Sequence, residues 1–284
     1  MPELPEVETT ARLLAGAVAG ARIEYARAPG INALRSFEPP LTALVGEQVL
    51  TVRRRGKHLI VESSGGLALL MHLMSAGRLQ LYDKPAGPRD RSSRLLLGLE
   101  GSRELRLREF GSRQAAWVKL LPVSELELDE ALSELGPEAW PDPPQPPELG
   151  ELLDAPRPLH ALLRDQHVIA GIGRSWVDEI LWRAQLSPYK RGGDLEPDEL
   201  ERLRAQIIGT LGGAIAHYED TLALPIPDKL PMPLIIHRHE GEPCPRCAST
   251  LRAVHFEDYV IAYCPQCQTE GRVLKDRRLS RLLR

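Results

Sequence analysis

Hydrophobic and polar residues alternate in short runs through the first 120 positions and form longer, helix-like stripes thereafter. Near the start, Leu13, Leu14 and Val18 fall at helical spacing. Acids precede them, where a helix dipole favours negative charge, so the pattern predicts a helix over Val7–Val18. Then come apolar runs of strand length: Arg22–Ala26, Val49–Val52, Leu59–Glu62, Leu67–Met74, Leu95–Leu99, Leu105–Arg108 and Trp117–Leu121. Six or more short strands separated by Gly, Ser and Pro predict a sandwich or barrel. The acidic, proline-rich stretch Pro137–Pro147 reads as a linker or extended loop. Beyond it, Leu200, Leu203, Ile207, Ile208, Leu211 and Ile215 make a helical stripe with Asp198, Glu199 and Glu201 in its first turns. Pro225–Pro233 breaks that helix, and no internal repeat is present.

Charge changes this picture. The net charge of −3 argues against a polyanionic partner, but ten acids and no Lys or Arg lie between Ser124 and Ala155. Setting that stretch aside leaves the remainder at +7, and Gln268–Arg284 alone carries +4 from six basic residues and two acids. A basic body with a segregated acidic segment fits an anionic partner such as DNA; an ordinary mixed surface is the alternative. No apolar run reaches the roughly 18 residues a membrane span needs, and acids and prolines follow Met1 where a signal peptide would be basic, then apolar. The expected compartment is the cytoplasm, where thiols stay reduced.

Cys244, Cys247, Cys264 and Cys267 form two C-x2-C pairs sixteen residues apart. Two such turns facing each other complete a tetrahedral four-thiolate site, with a β-hairpin of Ala253–Phe256 and Tyr259–Tyr263 between them. Four protein ligands leave no open position, so one structural zinc ion is expected; two disulfides or a redox C-x2-C are the alternatives. His237 and His239 are then surplus and expected on the surface or the hairpin.

The start, Met-Pro-Glu-Leu-Pro-Glu-Val-Glu, offers a second chemistry. Loss of Met1 would expose the secondary amine of Pro2, which can attack an electrophilic carbon and form an iminium. Glu3 beside it can give and take protons. Alternatively, these prolines and acids simply start a helix.

Three distant segments occur in order: P-E-L-P-E-V-E at the start, A-G-I-G-R-S-W-V-D-E-I-L from Ala170, and C-P-R-C…C-P-Q-C-Q at the end. Together they resemble the formamidopyrimidine-DNA glycosylase and endonuclease VIII family of base-excision repair enzymes. The resemblance implies an α+β, multi-domain protein. An N-terminal β-sandwich with flanking helices (1–122) would be catalytic, followed by the acidic, Pro-rich linker (123–149). A helix-two-turns-helix domain (150–235), a zinc finger (236–271) and a basic tail (272–284) complete it, with DNA in the cleft between lobes. It implies a bifunctional DNA glycosylase and abasic-site lyase, monomeric, acting on damaged double-stranded DNA without membrane or obligate protein partner. Pro2 would attack the sugar of a flipped nucleotide, Glu3 would manage proton transfers, and Lys57, in R-R-R-G-K-H-L, would contact phosphate and assist. At least some of Arg53, Arg54 and Arg55 would face the backbone. Arg55, His72, Gly171, Gly173, Arg174, Glu179 and Tyr259 fall on the DNA side by the same resemblance, and Glu6 on an acidic motif position. Physically, G-x-G ahead of a helix lets backbone N–H groups approach a phosphate.

Four departures qualify this. Arg174 stands where the family has Asn, and Tyr259 where its finger has a phosphate-gripping arginine, a role that Arg252 or Arg246 would have to assume. The family's H-L-G-M is here His72-Leu73-Met74-Ser75, which puts Met74 one place early; on a strand that is the opposite face. Its arginine-phenylalanine wedge is replaced by Arg108-Glu109-Phe110-Gly111-Ser112-Arg113-Gln114, in which Phe110 and Arg113 are candidates for the same task. Met74 and Phe110 read equally as core residues. The changes touch lesion choice and grip and leave Pro2, Glu3 and Lys57 intact. The rival readings are a catalytically weak or inactive damage-binding protein on the same scaffold, and a zinc-ribbon protein acting on RNA or in an assembly.

Overall fold

The computed structural model describes residues 2–30, 32–87, 90–110, 114–228, 230–256 and 259–275. They form two compact units, one of 1–134 with 215–231 and the other of 135–214 with 232–284.

The first unit opens with helix α1, Leu4–Val18. Glu3 is its N-cap and Glu6 completes a capping box, while Pro5, lacking an N–H, sits in the first turn where none is needed. Val7, Ala11, Leu14 and Val18 make the buried stripe, and Gly20, at φ +79°, ends the helix. Eight strands follow: β1 Ile23–Arg27, β2 Val49–Arg55, β3 His58–Ser63, β4 Leu67–His72, β5 Gly77–Tyr82, β6 Ser93–Leu99, β7 Arg103–Glu109 and β8 Trp117–Pro122. They pair antiparallel in two four-stranded sheets, ordered β1-β6-β7-β5 and β2-β3-β4-β8. Leu59, Val61, Leu69, Met71, Val118 and Leu120 of one sheet share a core with Leu79, Leu95, Leu97, Leu105 and Leu107 of the other and with the α1 stripe. Their two-residue spacing is that of a sheet with one face in the core. The expected sandwich is therefore present.

Two local expectations change. The run Leu67–Met74 leaves the strand at His72, and Met74 lies in the β4–β5 turn at φ +49°, the left-handed region. Met74 is therefore on neither face of a strand; it occupies the place of the family's glycine and takes a glycine-like backbone. Gly77 closes this turn, donating its N–H to the Leu73 carbonyl at 2.8 Å; a Cβ there would lie 2.4 Å from that oxygen. β5 was not anticipated. Gln80, a polar residue at a buried position, breaks its apolar alternation, and its amide donates to the Ile226 carbonyl and to Asp228 Oδ1.

The stretch 137–145 is a loop with one isolated bridge, Glu138 to Ala170, but the wider acidic region of 123–149 is partly helical. It holds a 3-10 turn over Val123–Leu128, α2 Glu130–Ser133 and, further on, α3 Pro146–Leu153. Leu126, Leu132, Ala139 and Leu149, spaced between the acids, are all buried. Asp129 caps α2 and pairs with Lys119 at 2.8 Å. The boundary between the units falls inside this stretch.

The second unit continues through α4 Leu159–Leu162 and α5 Arg174–Ala184, and includes the first part of α6 Pro197–Thr221. Its last segment is the hairpin β9 Arg252–His255 and β10 Val260–Tyr263, closed by α7 Pro265–Thr269. No described helix is long and apolar enough to cross a membrane.

Candidate functional site

In the first unit, the start of α1 is held from two sides. Glu6 Oε2 accepts the Glu3 N–H at 2.8 Å, and Glu6 Oε1 accepts the Tyr218 hydroxyl at 2.9 Å. Burial, then the Glu6 charge, pushes the Tyr218 hydroxyl above its usual pKa and keeps it a donor. Pro2 and Glu3 are buried at this helix start. Lys57 sits in the two-residue turn between β2 and β3, opened by Gly56 at φ +55°, and is 7% exposed. Arg54, just before the turn, donates to Glu8 of α1 at 2.6 Å, which ties hairpin to helix. Arg53 pairs with Glu62 at 2.7 Å, and Arg55 closes β2 opposite His58.

Beside Lys57 runs a cross-strand row. His58, His72 and Trp117 occupy paired positions on β3, β4 and β8; the His58 and His72 rings are 4.8 Å apart and His72 stacks on Trp117 at 6.0 Å. The Arg35 guanidinium lies over Trp117 at 4.6 Å. Burial lowers His58 to about 4 and His72 to about 3, the latter aided by the charges of His58, Lys57 and Arg35. Both imidazoles are thus neutral at pH 7, and His72 Nδ1 accepts the Met74 N–H at 3.0 Å. Met74 and Phe110 are half-buried, and neither belongs to the sandwich core. Arg108 covers Phe110 at 4.6 Å, whereas Arg113 lies outside the described residues.

In the second unit, Gly173 caps α5 with extended backbone and Gly171 adopts φ +109°, so both glycines shape the approach to the helix N-terminus. Gln166 braces this loop: its Oε1 accepts the Gly171 N–H, and its amide donates to the Arg164 and Ile172 carbonyls. Arg174, the first residue of α5, is exposed. Glu179 differs from expectation. It is 1% exposed, and its Oε1 accepts three backbone N–H groups, from Ile235, Ile236 and His237, at 2.9–3.0 Å. An anion so enclosed anchors the chain entering the finger. His237 is likewise not a surface residue. It is buried, with Nδ1 2.7 Å from Asp178 Oδ2, while His239 is partly exposed beside Glu242. Asp178 also accepts the Ala262 N–H at 2.9 Å and lies 3.2 Å from His160. Sequence reasoning passed over Asp178, although two adjacent acids among Trp176, Val177, Ile180 and Leu181 signal that one at least must be buried and bonded.

The four cysteine sulfurs lie within 4.8 Å of one another, Cys244 to Cys267 at 3.9 Å and Cys247 to Cys264 at 3.4 Å. Sulfurs around a tetrahedral ion with bonds of about 2.3 Å stand about 3.8 Å apart, so this set fits one shared metal ion. Trp182, Ile236 and Leu251 wall it off. Arg246 caps α5 instead of reaching outward, donating to the Trp182 carbonyl at 2.9 Å with its guanidinium over the Trp182 ring. Tyr259 sits at the hairpin end, stacked on Phe256 at 4.4 Å.

Comparison with known proteins decides the family. Residues 1–113 match the formamidopyrimidine-DNA glycosylase N-terminal domain, and 135–225 the formamidopyrimidine-DNA glycosylase H2TH domain. The formamidopyrimidine-DNA glycosylase of a Roseiflexus species is 33% identical over 280 residues, 94% of this chain and 100% of that one. That of Geobacillus kaustophilus is 30% identical at the same coverage. The chain belongs to the formamidopyrimidine-DNA glycosylase family. Among solved structures, MutM in complex with carbocyclic 8-oxo-G containing DNA superposes with a TM-score of 0.83 at 27% identity, covering 94% of this chain and all of that one. The Lactococcus lactis glycosylase with N7-benzyl-Fapy-dG containing DNA gives 0.84 at 26% identity and the same coverage. Within this family the chain is a member whose finger hairpin carries Tyr259 and whose G-x-G is followed by Arg174.

Proposed function

We propose that the Pro2 amine, released by removal of Met1, attacks the sugar carbon of a damaged nucleotide flipped from the duplex. The new N–C bond replaces the glycosidic bond and the base departs with a proton; the sugar C1′–O4′ bond then breaks, with O4′ taking up a proton, to leave the iminium, and loss of a C2′ proton expels the phosphate on C3′, which cuts the strand. The broader activity is that of the family: a base-excision DNA glycosylase with abasic-site lyase activity, acting on damaged DNA. The observation that supports the finer reading is the clamp on the helix start. Glu6 takes the Glu3 N–H and the Tyr218 O–H together, fixing the backbone that presents Pro2. Catalysis needs such positioning, since a misplacement of about 1 Å can cost about 100-fold in rate.

Glu3, adjacent and buried, moves protons on and off the departing base and the opened sugar. Lys57, presented by its tight hairpin, contacts a phosphate and stabilises developing negative charge. Arg55, His72, Gly171, Gly173 and Arg174 contribute to the DNA surface. Cys244, Cys247, Cys264 and Cys267 hold one structural zinc ion, which when bound supplies folding energy to the finger and takes no part in the chemistry. The enzyme works as a monomer in the cytoplasm, where the DNA is.

Borohydride trapping with abasic-site duplex tests this reading. Protein lacking Met1 is expected to give a covalent adduct that carries the Pro2 peptide on mass spectrometry. Protein retaining Met1, whose Pro2 nitrogen is an amide, is expected to give none. Absence of an adduct from the Met1-free protein would leave the damage-binding alternative.

A further inference from the structure

The loss of the finger's arginine raises the question of what grips the backbone there, and the surroundings of Tyr259 bear on it. The Arg164 guanidinium lies over the Tyr259 ring at 4.2 Å and that of Arg174 at 5.5 Å. His160 stacks at 6.1 Å, held to Asp178, and burial lowers its pKa, so it adds no positive charge at pH 7. Arg164 is half-buried, its Nε has no hydrogen-bond partner, and its guanidinium makes no ion pair among the described residues. Burying an unpaired cation is costly; an aromatic face offsets part of that cost, and a second guanidinium on the same ring adds to it. The Arg164 guanidinium is satisfied by an anion rich in oxygen acceptors, which its planar fork can bind. The same loop is braced for this, because Gln166 joins the Arg164 carbonyl to the G-x-G backbone.

We propose that Arg164, aligned with Arg174 by the Tyr259 ring, is a phosphate-binding residue whose ligand is a DNA phosphodiester, and that it replaces the cation missing at position 259 of the finger hairpin. Arg252, one of the candidates named from sequence, is exposed on β9, and Arg246 is spent on the end of α5. Tyr259 therefore acts as the platform of the grip and not as its hydrogen-bonding member. This deepens the proposed function and rests on it for the identity of the ligand.

The test is equilibrium binding of the full-length, metal-loaded protein to a duplex bearing a tetrahydrofuran abasic analogue, measured across a salt series. Arg164→Leu is expected to weaken binding about tenfold and to reduce the slope of log K against log salt by about 0.9, one phosphate contact. Arg164→Lys should keep the slope while losing part of the affinity. Tyr259→Phe should change neither, and Tyr259→Leu should weaken binding as Arg164→Leu does. The double variant R164L/Y259R, which moves the charge back to the hairpin, should recover the slope. A slope unchanged in Arg164→Leu, with a wild-type thermal midpoint, overturns the proposal; so does an affinity loss from Tyr259→Phe with none from Arg164→Lys or Arg164→Leu. If Arg164→Leu does not fold, the Tyr259 variants and Arg164→Lys still decide. Failure of borohydride trapping with the salt slope changed as expected would strike the lyase reading alone. Trapping retained with an unchanged slope would strike the Arg164 assignment alone.

Discussion

Neutral imidazoles beside a lysine carry a cost that pH can expose. His58 and His72 take up protons only near 4 and 3 in the folded protein, chiefly because burial penalises the charged ring, whereas unfolded histidines do so near 6.5. Below 6.5 the unfolded chain therefore binds more protons, and stability falls by up to ~1.4 kcal/mol per pH unit per histidine. Asp178 pulls the other way: burial raises it to about 6, so its contribution is full at low pH and is lost as pH rises through 6. The informative comparison is thus between proteins and not of one absolute slope. Urea midpoints taken from pH 7.5 to 4.5 should fall less steeply in His72→Gln than in the wild type; parallel curves would refute the buried-imidazole account. Met74 supplies a second residue-scale case. A non-glycine residue in the left-handed region costs about 1–2 kcal/mol, and glycine returns roughly half of that as lost chain entropy. Met74→Gly should therefore raise stability by up to ~1 kcal/mol in a urea titration. A loss instead would show that packing of the half-buried thioether outweighs the strain.

At the scale of elements, what the sequence revealed depended on how local the cause was. The α1 stripe, seven of the eight sandwich strands and the paired C-x2-C turns are written in spacing, and spacing is what folds them. β5 escaped because the partners that satisfy buried Gln80 lie some 146 residues away. Glu179 and His237 misled for the same reason: their burial is created by the finger's entry strand and by Asp178, neither adjacent in sequence. Arg164 carried no motif signal at all, and only the fold brings it to Tyr259. The finger shows local and distant causes acting together. Its sulfurs pack against Trp182 and Ile236, and its β10 backbone is held by Asp178. One bound metal should therefore order the hairpin, with α5 as its support. Elemental analysis is expected to find one zinc per chain. Cys264→Ser, or a strong chelator, should raise hydrogen exchange across 244–269 and lower affinity for abasic duplex at least tenfold, while exchange in β2–β4 stays as in the wild type. Unaltered exchange in the finger after complete metal loss would remove zinc as its organiser.

At the scale of the whole chain, the start of α1 belongs to a unit that sequence order does not make contiguous. Residues 1–134 are completed by 215–231, which supply Tyr218 to Glu6, Glu219 to Arg12, and the Ile226 and Asp228 acceptors to Gln80. Tyr218 is fully buried and Ile226 nearly so. Removing the segment opens a cavity where an aromatic side chain stood, a change that ordinarily costs about 3–5 kcal/mol. It also leaves the Glu6 carboxylate short of a donor, at about 1–3 kcal/mol more. Against the 5–15 kcal/mol that typically separates folded from unfolded domains, the sum is most of the margin. A fragment of residues 1–134 is thus expected to lack native near-UV circular dichroism and to unfold without a cooperative transition. The same fragment joined to 215–231 by a Gly/Ser linker should recover both, and Tyr218→Phe within it should lower the urea midpoint without abolishing the transition. Equal stability of the two fragments would mean that the sandwich alone fixes the α1 start, and that the Glu6–Tyr218 clamp is dispensable for presenting Pro2.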